Sequence, residues 1–296
     1  MQTLGNRLLY GLAVSLLSGL ACLPQRVAYW IGARLGDLLY LVLAERRRIT
    51  LANLALAFGT DKTAEERRLI ARATFRNLGQ HVVDFSHLRQ LTPHTFAAMC
   101  HVEGLEHVEA LLQRRRGLLI LSAHFGSWEL ASAVALCLAT PLNVIVRPLD
   151  NPALQRLAEA YRQRCGYRTI PRRAALMACL KVLRRGEIVA VLMDQSSLRH
   201  ESIQVEFFGT KAYTAIGPAL LALRTGCPVV SAFLTRVGQG QHRLVFSSEI
   251  PIRRTGHVQQ DIAENTRAFT RIIESYVRRY PDHWFWLHRR WKQRPA

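Results

Sequence analysis

Residues 118–129 read LLILSAHFGSWE, and this stretch is the most informative part of the chain about its fold. The first four residues are aliphatic, which is typical of a strand that is buried on both faces of a sheet. The stretch then passes His124 and the turn-forming Gly126, and it leads into an apolar helical pattern near Glu129. A buried strand that runs through a turn into a helix predicts an α/β fold with a largely parallel sheet.

The rest of the chain repeats this alternation of apolar strands and helical patterns. Further strands are predicted at residues 144–146, 188–193 and 229–234. Helices are predicted at residues 61–91, 130–138, 152–164, 213–224 and 259–280. No linker divides residues 100–280, so we expect one α/β domain over residues 46–296, with a mostly parallel central sheet flanked by helices.

The composition excludes some classes of protein and points to anionic partners. The chain is 49% hydrophobic and 21% charged, which excludes a disordered or collagen-like chain. Forty basic residues against 21 acidic ones give a net charge of +19, and only four of the forty are lysine. Arginine suits the bidentate capture of phosphate and carboxylate groups. We therefore expect the surface to attract nucleic acid, an anionic membrane, a phosphorylated substrate or an acidic protein.

The N-terminal section is strongly apolar. Residues 8–25 carry no charge, and a second apolar stretch at 28–43 is followed by arginines at 46–48. A cleaved secretory signal, a lipoprotein signal at Cys22 and an uncleaved anchor or interfacial helix all fit the first stretch. A signal does not explain the second stretch, and the arginines favour a cytoplasmic side. We expect residues 1–45 to attach the protein to a membrane, with a helical hairpin buried in the fold as the alternative.

His124 lies where open α/β sheets bind their ligands, in the crevice beyond the carboxyl ends of the strands. Glu129 follows five residues later, near enough to fold back across the turn and accept a hydrogen bond from one ring nitrogen. The other ring nitrogen would then be free to take a proton from a hydroxyl. The two residues predict a general base with its orienting carboxylate, and the substrate would supply the nucleophile.

Two other predicted strands also end in polar side chains. Arg147 and Asn151 follow the strand at 144–146, where an arginine could hold a phosphate or an acidic carrier; an ordinary turn built by two prolines is the alternative. Asp194 and Gln195 end the strand at 188–193 and are expected at the same crevice.

The remaining histidines and cysteines predict no metal site. No group of them has the spacing of zinc ligands. His81, Asp84 and His87 fall in an amphipathic helical pattern and are expected on its solvated face.

Taken together, these motifs resemble the bacterial lipid A biosynthesis acyltransferases. These are the late enzymes that add secondary acyl chains, often lauroyl or myristoyl, to the lipid A precursor. The resemblance runs over nearly the whole length and involves several separate motifs in the right order. They are residues 124–129, 147–151, 194–195 and 207–209, Arg48 with Asn53-Leu54, Arg236, and residues 284–290, which read WFWLHRR.

The resemblance implies an inner-membrane enzyme with a glycerolipid-acyltransferase-like fold and an active site that faces the cytoplasm. It would move an acyl chain from a thioester, on acyl carrier protein or coenzyme A, to a hydroxyl of an anionic glycolipid. It implies His124 as the general base, Glu129 as its partner, and no cofactor, because the thioester supplies the driving force. Substrate-binding positions would be Arg147, Asn151, Asp194, Gln195 and Arg236.

The sequence departs from the family pattern at one point, because residues 196–199 read SSLR where many members have another acid and a glycine. This difference concerns substrate preference rather than the chemistry.

Three alternative functions remain open at this point. The acceptor could be another lipid, such as a mannosylated phosphatidylinositol or a lysophosphatidate. A membrane-tethered nucleic-acid binder would use the net charge of +19 and the tryptophans and cations of the last residues. That class has no use for the histidine and glutamate of the turn, so we expect no nucleic-acid partner. A secreted hydrolase would need signal cleavage and a nucleophile of its own.

Overall fold

The computed structural model describes residues 4–173 and 175–292. Residues 1–3 of the predicted membrane-attachment section, and residues 174 and 293–296 of the predicted α/β domain, lie outside the described residues. The helices are α1 (Leu4–Cys22), α2 (Gln25–Val42), α3 (Ala44–Phe58), α4 (Ala64–His87), α5 (Pro93–Met99), α6 (Leu105–Leu112), α7 (Trp128–Ser132), α8 (Pro152–Arg164), α9 (Ala175–Arg184), α10 (Gly217–Thr225) and α11 (Val258–Arg279). The strands are β1 (Cys100–Glu103), β2 (Leu118–Ser122), β3 (Leu142–Val146), β4 (Tyr167–Pro171), β5 (Ile188–Leu192), β6 (Ser202–Phe207), β7 (Thr210–Ala215), β8 (Val229–Gly238) and β9 (Gln241–Phe246).

A seven-stranded sheet forms the centre of the molecule, in the order β1-β9-β8-β2-β5-β3-β4. The strands from β8 to β4 run parallel, whereas β9 is antiparallel to β8 and parallel to β1. Strands β6 and β7 form a separate antiparallel hairpin. The predicted α/β class, with a mostly parallel central sheet flanked by helices, is confirmed.

The sheet separates two hydrophobic cores, and β2 contributes to both. Leu119 and Leu121 belong to the core formed with α3, α9, α10 and α11. Leu118 and Ile120 belong to the core formed with α5, α6 and α8. Because successive side chains of a strand point to opposite faces, a strand covered on both sides must be aliphatic throughout. This explains the uninterrupted apolar run that begins at Leu118.

Parts of the predicted secondary structure are wrong. The helix predicted at 213–224 begins only at Gly217, because the preceding residues pair with β6 in the hairpin. The helix predicted at 130–138 is the short α7 followed by a 3-10 turn at Ala133–Cys137. Strands β1 and β4 were not predicted, because they are the edge strands of the sheet and keep part of their side chains in solvent. Their sequences therefore lack an apolar run. Strand β9, which lies inside the sheet and ends in Leu244-Val245-Phe246, was also not predicted.

The helices α1 and α2 both pack against α4, and α2 lies in very close contact with it. A Cβ atom at Gly79 would lie 2.0 Å from the carbonyl oxygen of Gly32, and one at Gly36 would lie 2.3 Å from that of Phe75. The glycines therefore permit an approach that any side chain would prevent.

No described helix is by itself both long and apolar enough to cross a bilayer. Among the described helices, only α2 and α3 together have that length and composition, and they meet at a bend of 92°.

The prediction that the polar residues of α4 face solvent is wrong for His81 and Asp84. His81 and Asp84 are buried, and Asp84 is fully enclosed. Its carboxylate accepts hydrogen bonds from Arg236, from His242 at 3.1 Å and from the hydroxyl of Tyr29. Burial by itself raises the pKa of Asp84, but Arg236 and His242 outweigh it and hold the pKa well below the usual value. The helix is amphipathic, yet α1, α2 and the β8–β9 hairpin cover its polar side as well.

Candidate active site

The pairing of β2 with β5 brings His124 and Asp194 together. The two strands are parallel neighbours, with Ser122 opposite Leu192. His124 and Asp194 each lie two residues beyond that pair, so the register places them side by side at the carboxyl edge of the sheet. His124 Nδ1 lies 2.9 Å from Asp194 Oδ1.

The turn after His124 depends on Gly126 and on the end of the chain. Gly126 has φ = +55°, and a Cβ atom there would lie 2.0 Å from the carbonyl oxygen of Leu234. Its amide donates to the carbonyl oxygen of His283 at 2.8 Å. The amide of Phe285 in turn donates to the carbonyl oxygen of His124 at 3.0 Å. The C-terminal segment therefore holds the turn in place by backbone hydrogen bonds on both sides.

The carboxylate of Asp194 is buried and held at both oxygens. Its second oxygen, Oδ2, accepts from the indole N–H of Trp284 at 2.9 Å. Burial raises the pKa of Asp194, but the charge and hydrogen bonds of His124 and the Trp284 donor outweigh it and leave the pKa below the usual value. Asp194 is therefore ionised and can only accept, so it selects the tautomer of His124 that is protonated at Nδ1.

This arrangement leaves the other nitrogen of His124 available. The side chain of His124 is 26% exposed, whereas that of Asp194 is 1% exposed. Among the described residues, none makes a hydrogen bond to His124 Nε2. A neutral imidazole with a fixed Nδ1–H and an open Nε2 has the geometry of a general base.

The structure does not place Glu129 on His124 as the sequence predicted. Its carboxylate accepts from Arg162 Nη2 at 2.5 Å and Nε at 3.1 Å, and from the hydroxyl of Tyr167 at 2.6 Å. Burial raises the pKa of Glu129, but Arg162 and Tyr167 lower it below the usual value. Asp194, and not Glu129, hydrogen-bonds to His124, because α7 starts in a direction that turns Glu129 toward α8 and β4.

Trp128, the neighbour of Glu129, packs against the ring of His124. Its ring meets the His124 ring edge-on, with centroids 5.4 Å apart, and stacks on His81 at 3.9 Å. Burial lowers the pKa of His81 to about 4, so this imidazole is neutral near pH 7. His81 also contacts the hydroxyl of Ser127 at 3.1 Å. His81 and Trp128 therefore form an uncharged wall that limits the positions open to the His124 ring.

Glu129→Ala is expected to destabilise the fold by about 3–5 kcal/mol, because it would leave the buried guanidinium of Arg162 without its charge partner. The side chains of Arg162 and Glu129 are only 11% and 13% exposed. The measurement is the free energy of unfolding in urea. Glu106→Ala is the matched control, since Glu106 is exposed on α6. Equal stability of the two variants would contradict a structural role for Glu129.

The other predicted residues lie at varying distances from this centre. The Arg147 side chain is 78% exposed beyond β3, and its contact with Asp150 is a long 3.7 Å. Asn151 caps α8, because its side-chain oxygen accepts from the amides of Ala153 and Leu154. Gln195 is half-buried next to Asp194. Arg147 and Gln195 thus remain accessible to a substrate, whereas the side-chain oxygen of Asn151 already accepts hydrogen bonds from the first turn of α8.

Arg236 is not available to a substrate, contrary to the sequence-based expectation. Its Nη2 donates to Asp84 at 2.5 Å, and its Nη1 donates to Asn77 and Gln80 at 2.6 and 3.1 Å. The side chain is 7% exposed. Strand β8 directs this residue toward α4, where it neutralises a buried carboxylate. Only the three-dimensional pairing of β8 with α4 reveals this.

Sequence reasoning also missed some partners of the site. Trp284 belongs to the family motif at residues 284–290, but nothing in the sequence indicates that its indole reaches Asp194. Arg162 and Tyr167 carry no sequence signal at all, because they meet Glu129 only through the packing of α8 and β4. The described residues contain no group of three His, Cys, Asp or Glu side chains that could hold a metal ion.

The fold and this centre define an α/β enzyme that presents a carboxylate-oriented histidine at the ligand-binding edge of its sheet. The family of bacterial lipid A biosynthesis acyltransferases matches residues 5–293, so the chain belongs to that family. The predicted resemblance is confirmed.

Individual relatives are similar over most of their length. The lipid A biosynthesis lauroyltransferase of Escherichia coli (strain K12) is 28% identical over 279 residues, which cover 92% of this chain and 88% of the relative. The palmitoleoyltransferase of the same organism is 28% identical over 93% of this chain and 88% of its own length. A phosphatidylinositol mannoside acyltransferase of Mycobacterium tuberculosis (strain ATCC 25618 / H37Rv) is 23% identical over 64% of this chain and 59% of its own length.

Membership of this family assigns the protein a reaction class. It is an acyltransferase of lipid A biosynthesis, and it therefore takes an acyl donor and a lipid acceptor.

Proposed function

We propose that this protein transfers a fatty acyl chain from a thioester, carried by acyl carrier protein or coenzyme A, to a hydroxyl of a lipid A precursor. The observation that carries this proposal is the hydrogen bond of 2.9 Å between His124 Nδ1 and Asp194. It leaves Nε2 at the exposed edge of the sheet as the group that takes the hydroxyl proton.

The reaction follows from that geometry in two steps. His124 Nε2 accepts the proton of the acceptor hydroxyl while its oxygen attacks the thioester carbonyl carbon. The tetrahedral intermediate then collapses, the C–S bond breaks, and the leaving thiolate takes the proton back from Nε2. Asp194 stabilises the imidazolium that exists between the two steps. The product is an ester, and the histidine ends in its starting state.

An anionic acceptor and an acidic carrier both fit the charge of the protein. The net charge is +19, and most of the cations are arginines. Arg147 extends into solvent at the same edge of the sheet as His124, one strand beyond β5. We propose that it binds an acidic group of the acceptor or of the carrier.

The test of this function is direct. Purified protein is incubated with a lipid A precursor and acyl chains on either carrier protein or coenzyme A, and the products are examined by mass spectrometry. A gain of one acyl mass on the precursor is expected. The same measurement on the lipid A of cells with and without the gene should show the loss of one acyl chain. No product from either donor would refute the proposal.

The mycobacterial relatives support a second acceptor class. Because a phosphatidylinositol mannoside acyltransferase is 23% identical over part of the chain, a mannosylated phosphatidylinositol belongs in the same assay. Transfer to it alone would replace the lipid A precursor in the proposal. A nucleic-acid-binding role finds little support, because Trp284 and Trp286 are buried and offer no surface on which bases could stack.

We also propose that α1 and α2 attach the protein to the inner membrane as interfacial helices, with the active site facing the cytoplasm. Both helices expose large apolar side chains, namely Leu8, Leu9, Leu12 and Leu16 on α1, and Val27, Trp30, Leu38, Leu41 and Val42 on α2. Their opposite sides pack on α4, through the buried Leu17 and Leu20 of α1 and the glycines of α2. A helix that packs one face against the protein and exposes an apolar opposite face is suited to lie in the surface of a membrane.

A basic cavity beside α1 supports the same attachment to a membrane surface. It has a volume of about 460 Å³ and lies between α1 and α8. Arg7, Arg89 and Arg156 line it together with Tyr10 and Tyr161, among other residues. Cations at the edge of an apolar helix face favour contact with anionic headgroups.

Leu12→Glu and Leu16→Glu are each expected to weaken membrane binding at least tenfold, since burial of a leucine contributes ~1.5–3 kcal/mol. The measurement is co-sedimentation with vesicles of phosphatidylethanolamine and phosphatidylglycerol. Both side chains are exposed, so the substitutions leave the core intact, unlike a deletion of α1. Val258→Glu on α11 is the matched control, because Val258 is also an exposed apolar side chain on a helix. Unchanged sedimentation of both α1 variants would contradict this attachment.

A further inference from the structure

The C-terminal part of the chain contacts both members of the pair formed by His124 and Asp194. Residues 283–285 run antiparallel to the turn after His124 and pair with it through an isolated β-bridge. The side chains of Trp284 and Phe285 then point in different directions, as successive side chains of an extended chain do. The indole of Trp284 reaches Asp194, whereas the ring of Phe285 lies 6.3 Å from that of His124, measured between centroids. The carboxylate and the imidazole therefore share one neighbouring segment.

The indole of Trp284 is held in one position by its neighbours. Trp284 is 1% exposed, and its ring meets the rings of Phe207 and Trp286 edge-on, with centroids 5.4 and 4.6 Å apart. Close packing of this kind leaves a buried ring little freedom to change its rotamer. The indole N–H therefore approaches Asp194 Oδ2 from a fixed direction, at 2.9 Å.

The indole can donate a hydrogen bond but cannot accept one, and this limits what Asp194 can do. One carboxylate oxygen faces Nδ1 of His124, and the other faces the N–H of Trp284. A proton on the second oxygen would meet the indole N–H, so this contact favours the ionised carboxylate. The two contacts together also fix the plane of the carboxyl group, whose rotation about the Cβ–Cγ bond is otherwise soft.

We propose that Trp284 is a positioning residue for acyl transfer, whose N–H directs the carboxylate of Asp194 at His124. This inference rests on the function proposed above. Trp284 is too deeply buried to touch a substrate, so it acts through Asp194 by keeping His124 in the tautomer with a free Nε2. The chain offers a matched comparison, because Trp286 is also fully buried but donates to the carbonyl oxygen of Pro281 at 2.6 Å.

Trp284→Phe removes the N–H and keeps an aromatic ring. It is expected to lower kcat about tenfold or more, because a hydrogen bond to a charged group is worth about that factor. The KM of either substrate should change much less. Trp286→Phe is the control, and its kcat should stay near the wild-type value. Equal kcat values for the two variants would overturn the proposal.

A second substitution separates the hydrogen bond from the packing of the ring. Benzothienylalanine at position 284 keeps the bicyclic shape of tryptophan and has sulfur in place of the N–H. It should lower kcat as Trp284→Phe does, and it tests the hydrogen bond even if Trp284→Phe does not fold. A wild-type kcat with this side chain would overturn the proposal, because the ring would then act by its shape alone.

The Asp194→Asn background gives a result that packing alone cannot produce. In that variant the indole N–H holds the amide oxygen, which turns the amide NH₂ group toward Nδ1 of His124 and favours the wrong tautomer. Without the indole N–H, the amide can flip and accept from Nδ1–H instead. Trp284→Phe is therefore expected to lower kcat in the wild type and to raise it in the Asp194→Asn background. The same fold loss in both backgrounds would overturn the proposal, since independent sites have additive effects.

The tautomer of His124 can also be measured without turnover. Nitrogen NMR of protein with isotope-labelled histidine, at mildly alkaline pH, should show Nδ1-protonated His124 in the wild type and in Trp286→Phe. Trp284→Phe should show a mixture of both tautomers; the His124 signals are assigned by their loss in His124→Ala. A wild-type spectrum for Trp284→Phe would overturn the positioning role and leave the proposed function intact. Absence of acyl transfer by the wild type, with a tautomer that depends on Trp284, would refute the function and keep the positioning role.

Discussion

His124→Ala is expected to lower kcat for acyl transfer by about 10²–10⁴-fold, the usual contribution of general base catalysis. The variant removes Nε2, the nitrogen that Asp194 leaves open at the edge of the sheet. The protein should stay folded, because the His124 side chain is partly exposed and the turn around it is held by backbone hydrogen bonds. The measurement is acyl transfer to a lipid A precursor at saturating donor, with circular dichroism as the folding control.

The size of the residual activity decides this prediction. A folded His124→Ala enzyme that kept more than about a tenth of the wild-type kcat would remove histidine as the base, since general base catalysis contributes far more.

Asp194→Asn is expected to lower kcat by a comparable factor of about 10²–10⁴, because an amide can donate to Nδ1 and thereby favour the wrong tautomer of His124. The side chain has nearly the same shape, so the hydrogen bond from Trp284 can persist. Unlike Glu129→Ala, this variant should change activity far more than it changes the free energy of unfolding. The double variant with His124→Ala should lose little more than either single one, because residues that act as a unit are non-additive.

The pH behaviour of Asp194 gives a further check on its role. Its pKa in the folded protein lies below the usual value, so its carboxylate stabilises the fold above the unfolded pKa of about 3.9 and loses this effect only as the pH falls through the lower folded value. The pair with His124 should therefore stay intact at mildly acidic pH. An Asp194→Asn enzyme with wild-type kcat would show that Asp194 does not orient the base.

The sequence was sufficient to predict the class of fold and the family. The aliphatic run at 118–121 predicts a doubly covered strand because burial on both faces requires apolar side chains at every position. His124 and Asp194 were both expected at the same edge, since each comes shortly after such a run. The burial of a strand and the residues that follow its end are local properties, so the order of apolar and polar residues along the chain is enough to predict them.

Only the tertiary structure decided which groups act together. His124 has Glu129 five residues away and Asp194 seventy residues away, yet Asp194 is its partner. Sequence spacing favours the near carboxylate, whereas the parallel register of β2 and β5 places the distant one alongside. In the same way, Arg236 is committed to Asp84 because β8 packs against α4. Strand order and helix packing arise from long-range contacts. Local sequence patterns do not indicate which strand or helix will pack beside a given element.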